Sequence, residues 1–430
     1  MMKILRSSQY DAIKSEILSR GDLDYKDINV TVEEIVKNVK ENGDSAVLEY
    51  TAKFDGAELE RMEVTAEEME RAWERTPESL KIALAEAAHS IRRFHERQKR
   101  NSFMDNTTKG KITGQLINPI EKVGIYVPGG KSPYPSTVLM NAIPAKVAGV
   151  EDLVMITPPG KTGEIMDNIL AAAKIAGVDR IFKVGGAQGI AALAYGTQTI
   201  PKVYKITGPG NIYVALAKKQ VYGIVDIDMI AGPSEILIIA DDSANPRYIA
   251  ADLLSQAEHD ELASSLLITP SEKLAETVSK EVDIQLAELT KKEIAAKSLE
   301  NYGRIIITED LDEAIDLAND IAAEHLELMV AEPFLYVNSI KNAGAVFVGE
   351  NTPEPLGDYY AGPNHTLPTN GTAKFSSPLS VDDFIKKTSV IYYSKEALKE
   401  VKDTILEISE SEGLTAHSNS IRIRFEEEKL

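Results

Sequence analysis

Apolar residues recur along the first quarter of the chain at three-to-four spacing, with charged residues between them. Val32-Glu-Glu-Ile-Val-Lys-Asn-Val and Leu80-Lys-Ile-Ala-Leu-Ala-Glu-Ala-Ala are typical. The pattern predicts packing helices with solvated outer faces from about Tyr10 to Met104. A different rhythm begins at Val123-Gly-Ile-Tyr-Val-Pro-Gly-Gly, where short β-branched runs alternate with helical ones. Leu153-Val-Met-Ile-Thr precedes a helix over 164–177, Ile181-Phe-Lys-Val one over 187–195, and Val203-Tyr-Lys-Ile one over 211–222.

A second series follows, with strands at 236–240, 264–268, 304–308 and 345–348 and helices reaching 258 and starting at 272 and 311. Strand, glycine-rich turn and helix in repetition predict a parallel sheet covered by helices, here twice in tandem. The stretch 349–377 is rich in Gly, Pro, Asn and Thr and too long for an ordinary connection, which favours a functional loop. Beyond it a strand near 388–393 and a helix over 395–408 form a tail too small for a secure core of its own.

Composition narrows the class. The 430 residues suit roughly three domains of ordinary size. A net charge of −20 and the lack of any Lys/Arg block argue against nucleic acid as a partner. The N-terminus lacks an apolar run of signal-peptide length, and charges interrupt every later run before it reaches membrane-span length. A soluble, cytoplasmic protein with no membrane partner is expected. Cysteine is absent, so any metal must be held by nitrogen and oxygen.

Of six histidines, His89 and His95 lie in a charged helical run with Arg92, Arg93 and Glu96, and a solvated helix face is expected for both. The other four have unusual surroundings. In Asp252-Leu-Leu-Ser-Gln256-Ala-Glu-His259, two lone-pair donors three positions apart share one helix face and make half of a metal site. Asp358 and His365 share the Gly/Pro loop, where Asp358 could equally close an Asx turn. With His417, the set Gln256, His259, Asp358 and His417 offers two nitrogens and two oxygens, suited to Zn²⁺ or Mn²⁺ although glutamine is an uncommon ligand. Glu324-His325 alone reads as a surface pair; beside a metal it becomes an acid–base pair.

Three glycine-rich turns follow predicted strands, at Gly129-Gly130, Gly185-Gly186-Ala-Gln188-Gly189 and Thr207-Gly208-Pro-Gly210-Asn211. Such turns bring backbone amides close to an anionic group. None completes Gly-x-Gly-x-x-Gly, since Tyr213 stands at the third glycine, so a nucleotide site and simple turn chemistry both remain open.

These residues together closely resemble the histidinol dehydrogenase family. The likeness runs through Gly124-Ile-Tyr-Val-Pro-Gly-Gly, Pro135-Ser-Thr-Val-Leu-Met-Asn, Val184-Gly-Gly-Ala-Gln, Gly208-Pro-Gly-Asn, Ala231-Gly-Pro-Ser-Glu, Leu254-Ser-Gln-Ala-Glu-His, Ala323-Glu-His-Leu and Glu412-Gly-Leu-Thr-Ala-His. The resemblance implies a Zn²⁺- and NAD-dependent enzyme that oxidises L-histidinol through L-histidinal to L-histidine, the last steps of histidine biosynthesis. By resemblance the metal ligands are Gln256, His259, Asp358 and His417, and they hold substrate as well. Glu324 and His325 are the acid–base pair; Ser234, His325, His365 and Glu412 contact substrate; Tyr126, Gln188 and Asn211 contact NAD.

The implied fold is α/β, with two tandem incomplete Rossmann-like domains, a small N-terminal helical segment and a small C-terminal tail domain. Residues 1–22 form the helical arm, 23–122 and 236–378 the domain with metal and catalytic residues, 123–235 the NAD-contacting domain and 379–430 the tail. The tail is expected to reach the partner's site in a homodimer, so that Glu412 and His417 serve the other subunit. Other readings are a zinc/NAD dehydrogenase for another polyol or amino alcohol, a zinc hydrolase, and a non-catalytic binding protein. The intact Glu324-His325 pair and the NAD positions argue against the last two.

Overall fold

A computed structural model describes residues 2–10, 12, 14, 25–129, 134–230 and 232–426. Gly130 and Ala231, and most of the expected arm between 11 and 24, lie outside the described residues. The chain divides into two compact units, one of Met1–Gln98 with Ile120–Phe384 and one of Lys99–Pro119 with Ile385–Leu430.

The first unit opens with a short strand within the expected helical arm, and of the arm's later residues the described Tyr10, Ala12 and Lys14 are helical. β1 (Lys3–Arg6) pairs in parallel with a strand three hundred residues on, Lys3 opposite Arg304. Its residues are largely exposed, as on a sheet edge, and therefore leave no apolar run to read. Four helices follow: α1 (Lys26–Asn42), α2 (Asp44–Asp55), α3 (Ala66–Arg75) and α4 (Glu78–His95). The predicted stripe is real, with Val32, Ile35, Val36 and Val39 buried along α1. Thr65 and Glu68 close a capping box at the start of α3, each side chain accepting the other's backbone N–H, at 3.1 and 2.8 Å.

After β2 (Phe103–Asp105) and β3 (Lys111–Pro119), which belong to the second unit, a five-stranded parallel sheet begins. It holds β4 (Lys122–Tyr126), β5 (Asp152–Thr157), β6 (Arg180–Lys183), β7 (Lys205–Thr207) and β8 (Asp226–Ile227), in the order β6-β5-β4-β7-β8. The connecting helices are α5 (Pro135–Ala148), α6 (Asp167–Ala176), α7 (Gly186–Tyr195) and α8 (Ile212–Val221). Parallel sheets need cover on both faces. One face packs α5 and α6 with Ala72, Leu84 and Ile91 from α3 and α4; the other packs α7 and α8 with α1 and Val47 of α2.

The N-terminal helices therefore share the cores of this sheet, in contrast to the expected grouping of 23–122 with 236–378. Their apolar stripes identify helices that pack, but a stripe does not say against which sheet. The expectation for the histidines divides as well: His89 is exposed, whereas His95 at the end of α4 is fully buried.

The second series forms a six-stranded parallel sheet from β1, β9 (Glu235–Ala240), β10 (Ser264–Thr269), β11 (Arg304–Ile307), β12 (His325–Met329) and β13 (Ala345–Val348), ordered β1-β11-β10-β9-β12-β13. Its helices are α9 (Pro246–Ala257), α10 (Glu272–Leu286), α11 (Lys292–Tyr302) and α12 (Leu311–Ile321). The strands are saturated with buried Ile and Leu, as a doubly covered sheet requires. The long loop contains the short helix α13 (Glu354–Tyr359) and a 3₁₀ turn at Thr372–Lys374.

In the second unit, β14 (Ile385–Tyr393) pairs antiparallel with β3, and β3 with β2. The tail thus does not rely on 379–430 alone, because strands from 103–119 complete its sheet. α14 (Lys395–Ser411), capped by Ser394, and α15 (Thr415–Arg422) follow, joined by a 2.7 Å hydrogen bond between the Ser409 and Ser418 hydroxyls. Among the described residues no helix is long and apolar enough to cross a membrane.

Candidate active site

The amino end of β12 carries Glu324 and His325, beside the amino end of β9 with Ser234 and Glu235. Ala322, in the left-handed region at φ 56°, turns the chain from α12 into β12. The two strands lock reciprocally: Glu235 N–H donates to Glu324 Oε2 at 3.0 Å, and Glu324 N–H donates to Glu235 Oε2 at 3.2 Å. His325 Nδ1 lies 2.9 Å from the Glu235 carbonyl oxygen. A carbonyl only accepts, so Nδ1 carries a proton and Nε2 is left to accept or release one. That Nε2 is buried, has no hydrogen-bond partner, and faces Asp358 Oδ1 at 3.8 Å.

Electrostatics bind the pair further. Burial pushes the Glu324 carboxyl up to about 8, against the pull of the neighbouring imidazole and with help from Glu235. Burial works against a charged His325, but the Glu324 and Asp358 carboxylates outweigh it and raise its pKa. Asp358, which burial alone would raise, is held down to about 2 by His325 and His365.

Asp358 sits in the last turn of α13, and His365 follows on the loop. The His365 ring is held at both nitrogens: Nδ1 donates to the Asp358 carbonyl at 3.1 Å, and Nε2 lies 3.4 Å from the Thr137 hydroxyl on α5. Glu354, one helical turn before Asp358, brings its carboxyl to the same place. Ligand atoms of His325, Glu354 and Asp358 all lie within 4.8 Å of one another, a group able to hold a metal ion. Behind it, Glu327 accepts the Glu354 N–H at 2.9 Å, and burial raises the pKa values of Glu327, Glu354 and Asp252.

Sequence reasoning missed Glu354, Glu327 and Glu235. The four-residue spacing of Glu354 and Asp358 was a readable signal, as was the alternation that puts His325 and Glu327 on one face of β12.

Gln256 lies in the last turn of α9, fully buried, and neither atom of its side-chain amide has a partner. Burying an unpaired amide costs about 1–3 kcal/mol, which a ligand on the oxygen would offset. His259, just past the helix, keeps an exposed edge; desolvation lowers its pKa, and the charges of Asp358 and His325 also act on it. The charges of Asp358 and His325 thus reach His259, and the hydroxyl of Ser255, next to Gln256, lies 3.5 Å from Glu354 Oε2; of the four expected metal ligands, Asp358 alone belongs to the group His325, Glu354 and Asp358. These nitrogen and oxygen donors fit a zinc-type centre. Ser234 is half-buried beside Glu235. Glu412 and His417 belong to the second unit, at the end of α14 and within α15, and both are exposed.

The three expected cofactor positions lie at the carboxyl edge of the five-stranded sheet. Tyr126 ends β4, and burial pushes its hydroxyl up to about 12 although the Gly186 N–H bonds to it. Gln188 is buried in the first turn of α7. Asn211 caps α8, its side-chain oxygen accepting from the Tyr213 and Val214 N–H groups at 3.1 and 3.2 Å. Gly208 has φ 116°, and a Cβ there would lie 2.1 Å from the Tyr126 carbonyl oxygen.

Comparisons with known proteins give the family. A family model described as histidinol dehydrogenase matches residues 18–425. The chain is 53% identical over 427 residues to a histidinol dehydrogenase of Clostridium acetobutylicum, covering 99% of both chains. It is 57% identical over 415 residues to one of Caldanaerobacter subterraneus subsp. tengcongensis, covering 96% of both. The crystal structure of histidinol dehydrogenase from Elizabethkingia anophelis matches with a TM-score of 0.93 and 38% identity, over 98% of each chain. The chain belongs to the histidinol dehydrogenase family of oxidoreductases.

Proposed function

We propose that this protein oxidises L-histidinol twice, through L-histidinal to L-histidine, with two NAD⁺ and a zinc ion, in the cytoplasm. The observation that carries the reading is the buried His325, its Nδ1 tied to the Glu235 carbonyl and its Nε2 without a partner. That nitrogen takes the substrate's hydroxyl proton while hydride passes from the carbinol carbon to the first nicotinamide. Glu324, kept basic by its desolvated setting, takes a proton from water as the water oxygen adds to the aldehyde carbon. After releasing its first proton, His325 takes one from the hydrate as the second hydride leaves. One L-histidinol, two NAD⁺ and one water become one L-histidine, two NADH and three protons.

Gln256, His259, Asp358 and His417 would hold the zinc, which when bound supplies a Lewis-acidic template for the substrate's nitrogens. Ser234, His365 and Glu412 orient the substrate, and a carboxylate such as Glu412 suits its ammonium group. Tyr126, Gln188 and Asn211 receive NAD⁺. Glu412 and His417 complete the site of the other copy in a homodimer.

The test is NADH formation from limiting L-histidinol with and without a chelator. Two NADH per histidinol, lost on chelation and restored by Zn²⁺, is expected. Absence of NADH from zinc-loaded protein overturns the reading.

A further inference from the structure

The imidazole of His95 is fully buried at the end of α4 and takes no part in the chemistry above. Its Nδ1 lies 2.7 Å from Gln98 Oε1. The same oxygen accepts the Val381 N–H at 3.1 Å, which fixes it as oxygen rather than the amide NH₂. Nδ1 must then donate, leaving Nε2 as an acceptor in a neutral ring. Burial lowers the His95 pKa, in keeping with that neutral form.

Nε2 meets Asn364 Nδ2 at 3.5 Å. Asn364 is itself buried and committed on every side: Nδ2 also donates to the Met140 carbonyl of α5 at 2.6 Å, and Oδ1 accepts the Thr366 N–H at 2.9 Å. Between Asn364 and Thr366 stands His365. Three residues before His365 the loop meets α4 again, since a Cβ on Gly362, at φ 110°, would lie 2.8 Å from the Ser90 carbonyl oxygen and 3.1 Å from the Phe94 side chain. The loop is thus seated on α4 and α5, helices that pack on the five-stranded sheet, while His365 reaches Asp358 beside the six-stranded one.

We propose that His95 is a positioning residue for substrate recognition: as an Nδ1–H tautomer between Gln98 and Asn364, it registers the 361–366 loop on α4 and α5 and so sets where His365 meets the substrate. This rests on the reading that His365 contacts L-histidinol. A donor on one side and an acceptor on the other is what the position requires. Glutamine supplies both; leucine fills the space with neither.

Purified zinc-loaded His95→Leu and His95→Gln proteins test it. His95→Leu should raise KM for L-histidinol about tenfold, with kcat and the NAD⁺ KM within about twofold of wild type. His95→Gln should restore KM to within about twofold of wild type. A folded His95→Leu with wild-type KM, or a His95→Gln as impaired as His95→Leu, overturns the proposal. Should His95→Leu not fold, ¹⁵N spectra of the wild-type imidazole decide: a proton on Nδ1 supports the proposal and a proton on Nε2 overturns it. If wild-type protein is inert toward L-histidinol, the functional reading fails separately. Amide exchange at Thr366, slow in wild type and fast in His95→Leu, then supports the positioning role, and equal protection overturns it.

Discussion

The two parallel sheets share one strand order and gather their polar side chains at opposite ends of it. Leaving out the edge strand β1, each runs third, second, first, fourth, fifth in chain order. In such sheets the crevice outside the carboxyl ends of the first and fourth strands is the usual ligand site. In the five-stranded sheet that crevice is open to the proposed cofactor, with Tyr126 at the end of its first strand and Gly208 just after its fourth, the glycine allowing the two backbones to approach. In the six-stranded sheet, Asp241, just after β9, accepts from Ala331, just after β12, at 3.0 Å, and from Ser243 at 2.9 Å. A carboxylate bridge joins the two strand ends there, and Glu324 and His325 stand at the amino ends instead. A shared topology therefore does not by itself fix which strand ends gather polar side chains; the local residues at each strand end do.

The sharpest way to break this comparison is at the amino end of β12. His325→Asn should slow turnover of L-histidinol by roughly a hundredfold or more if that ring is the base. Thermal unfolding should change little, because the amide can still donate to the Glu235 carbonyl. Wild-type turnover in this variant would remove the amino edge from the chemistry altogether.

How much of this was legible in the sequence differs between the same regions. Most of the alternating strands and helices from 123 to 348 were readable because buried parallel strands are continuous apolar runs, but β8, α11 and β12 were not predicted, since β8 has two residues and His325-Leu-Glu-Leu-Met in β12 interrupts its apolar positions with charge. β1, β2 and β3 were not: Lys3–Arg6 and Phe103–Asp105 are exposed, and Lys111–Pro119 mixes half-buried with exposed positions, so burial left no pattern. At the site, Gln256 with His259 and Glu324 with His325 announced themselves as neighbours in sequence. Glu235 did not, because its role comes from β9 lying beside β12, ninety residues apart. His95 was misread from the charged residues beside it in sequence, although it continues the buried stripe of Leu84, Ala88 and Ile91 along α4 at helical spacing.

Gly208 tests the carboxyl edge of the other sheet. Gly208→Ala adds a Cβ at positive φ against the Tyr126 carbonyl, and should destabilise by about 2–3 kcal/mol while raising KM for NAD⁺. Denaturant midpoints and NAD⁺ titrations measure both. An unchanged NAD⁺ KM in the folded variant would detach this edge from the cofactor.

Asp241→Ala probes the bridged crevice and should cost about 1–2 kcal/mol of stability with kcat unaltered, since that end is structural. Burial would raise the Asp241 pKa, but bonds from Ser243 and Ala331 lower it overall. A depressed carboxyl contributes stability above its unfolded value, near 4, and loses it as pH falls through the folded one. The gap between wild type and variant should therefore close in acid. A matching loss of kcat would instead mean that both ends of the sheet serve catalysis.

The smallest effect sits beneath the cofactor edge. Asp55, the last residue of α2, has a buried oxygen without a partner, and burial raises its pKa to about 6. Its charge also acts on Tyr126. A carboxyl raised in the folded state contributes its stability below the unfolded pKa and loses it as pH rises through about 6. Asp55→Asn removes the ionisation, so Tm should rise slightly near pH 8 and stay unchanged near pH 4. If the variant gains stability at pH 8 but weakens NAD⁺ binding, the carboxylate is kept at that edge for the ligand; if NAD⁺ binding is untouched, the charge there is a burden of packing alone.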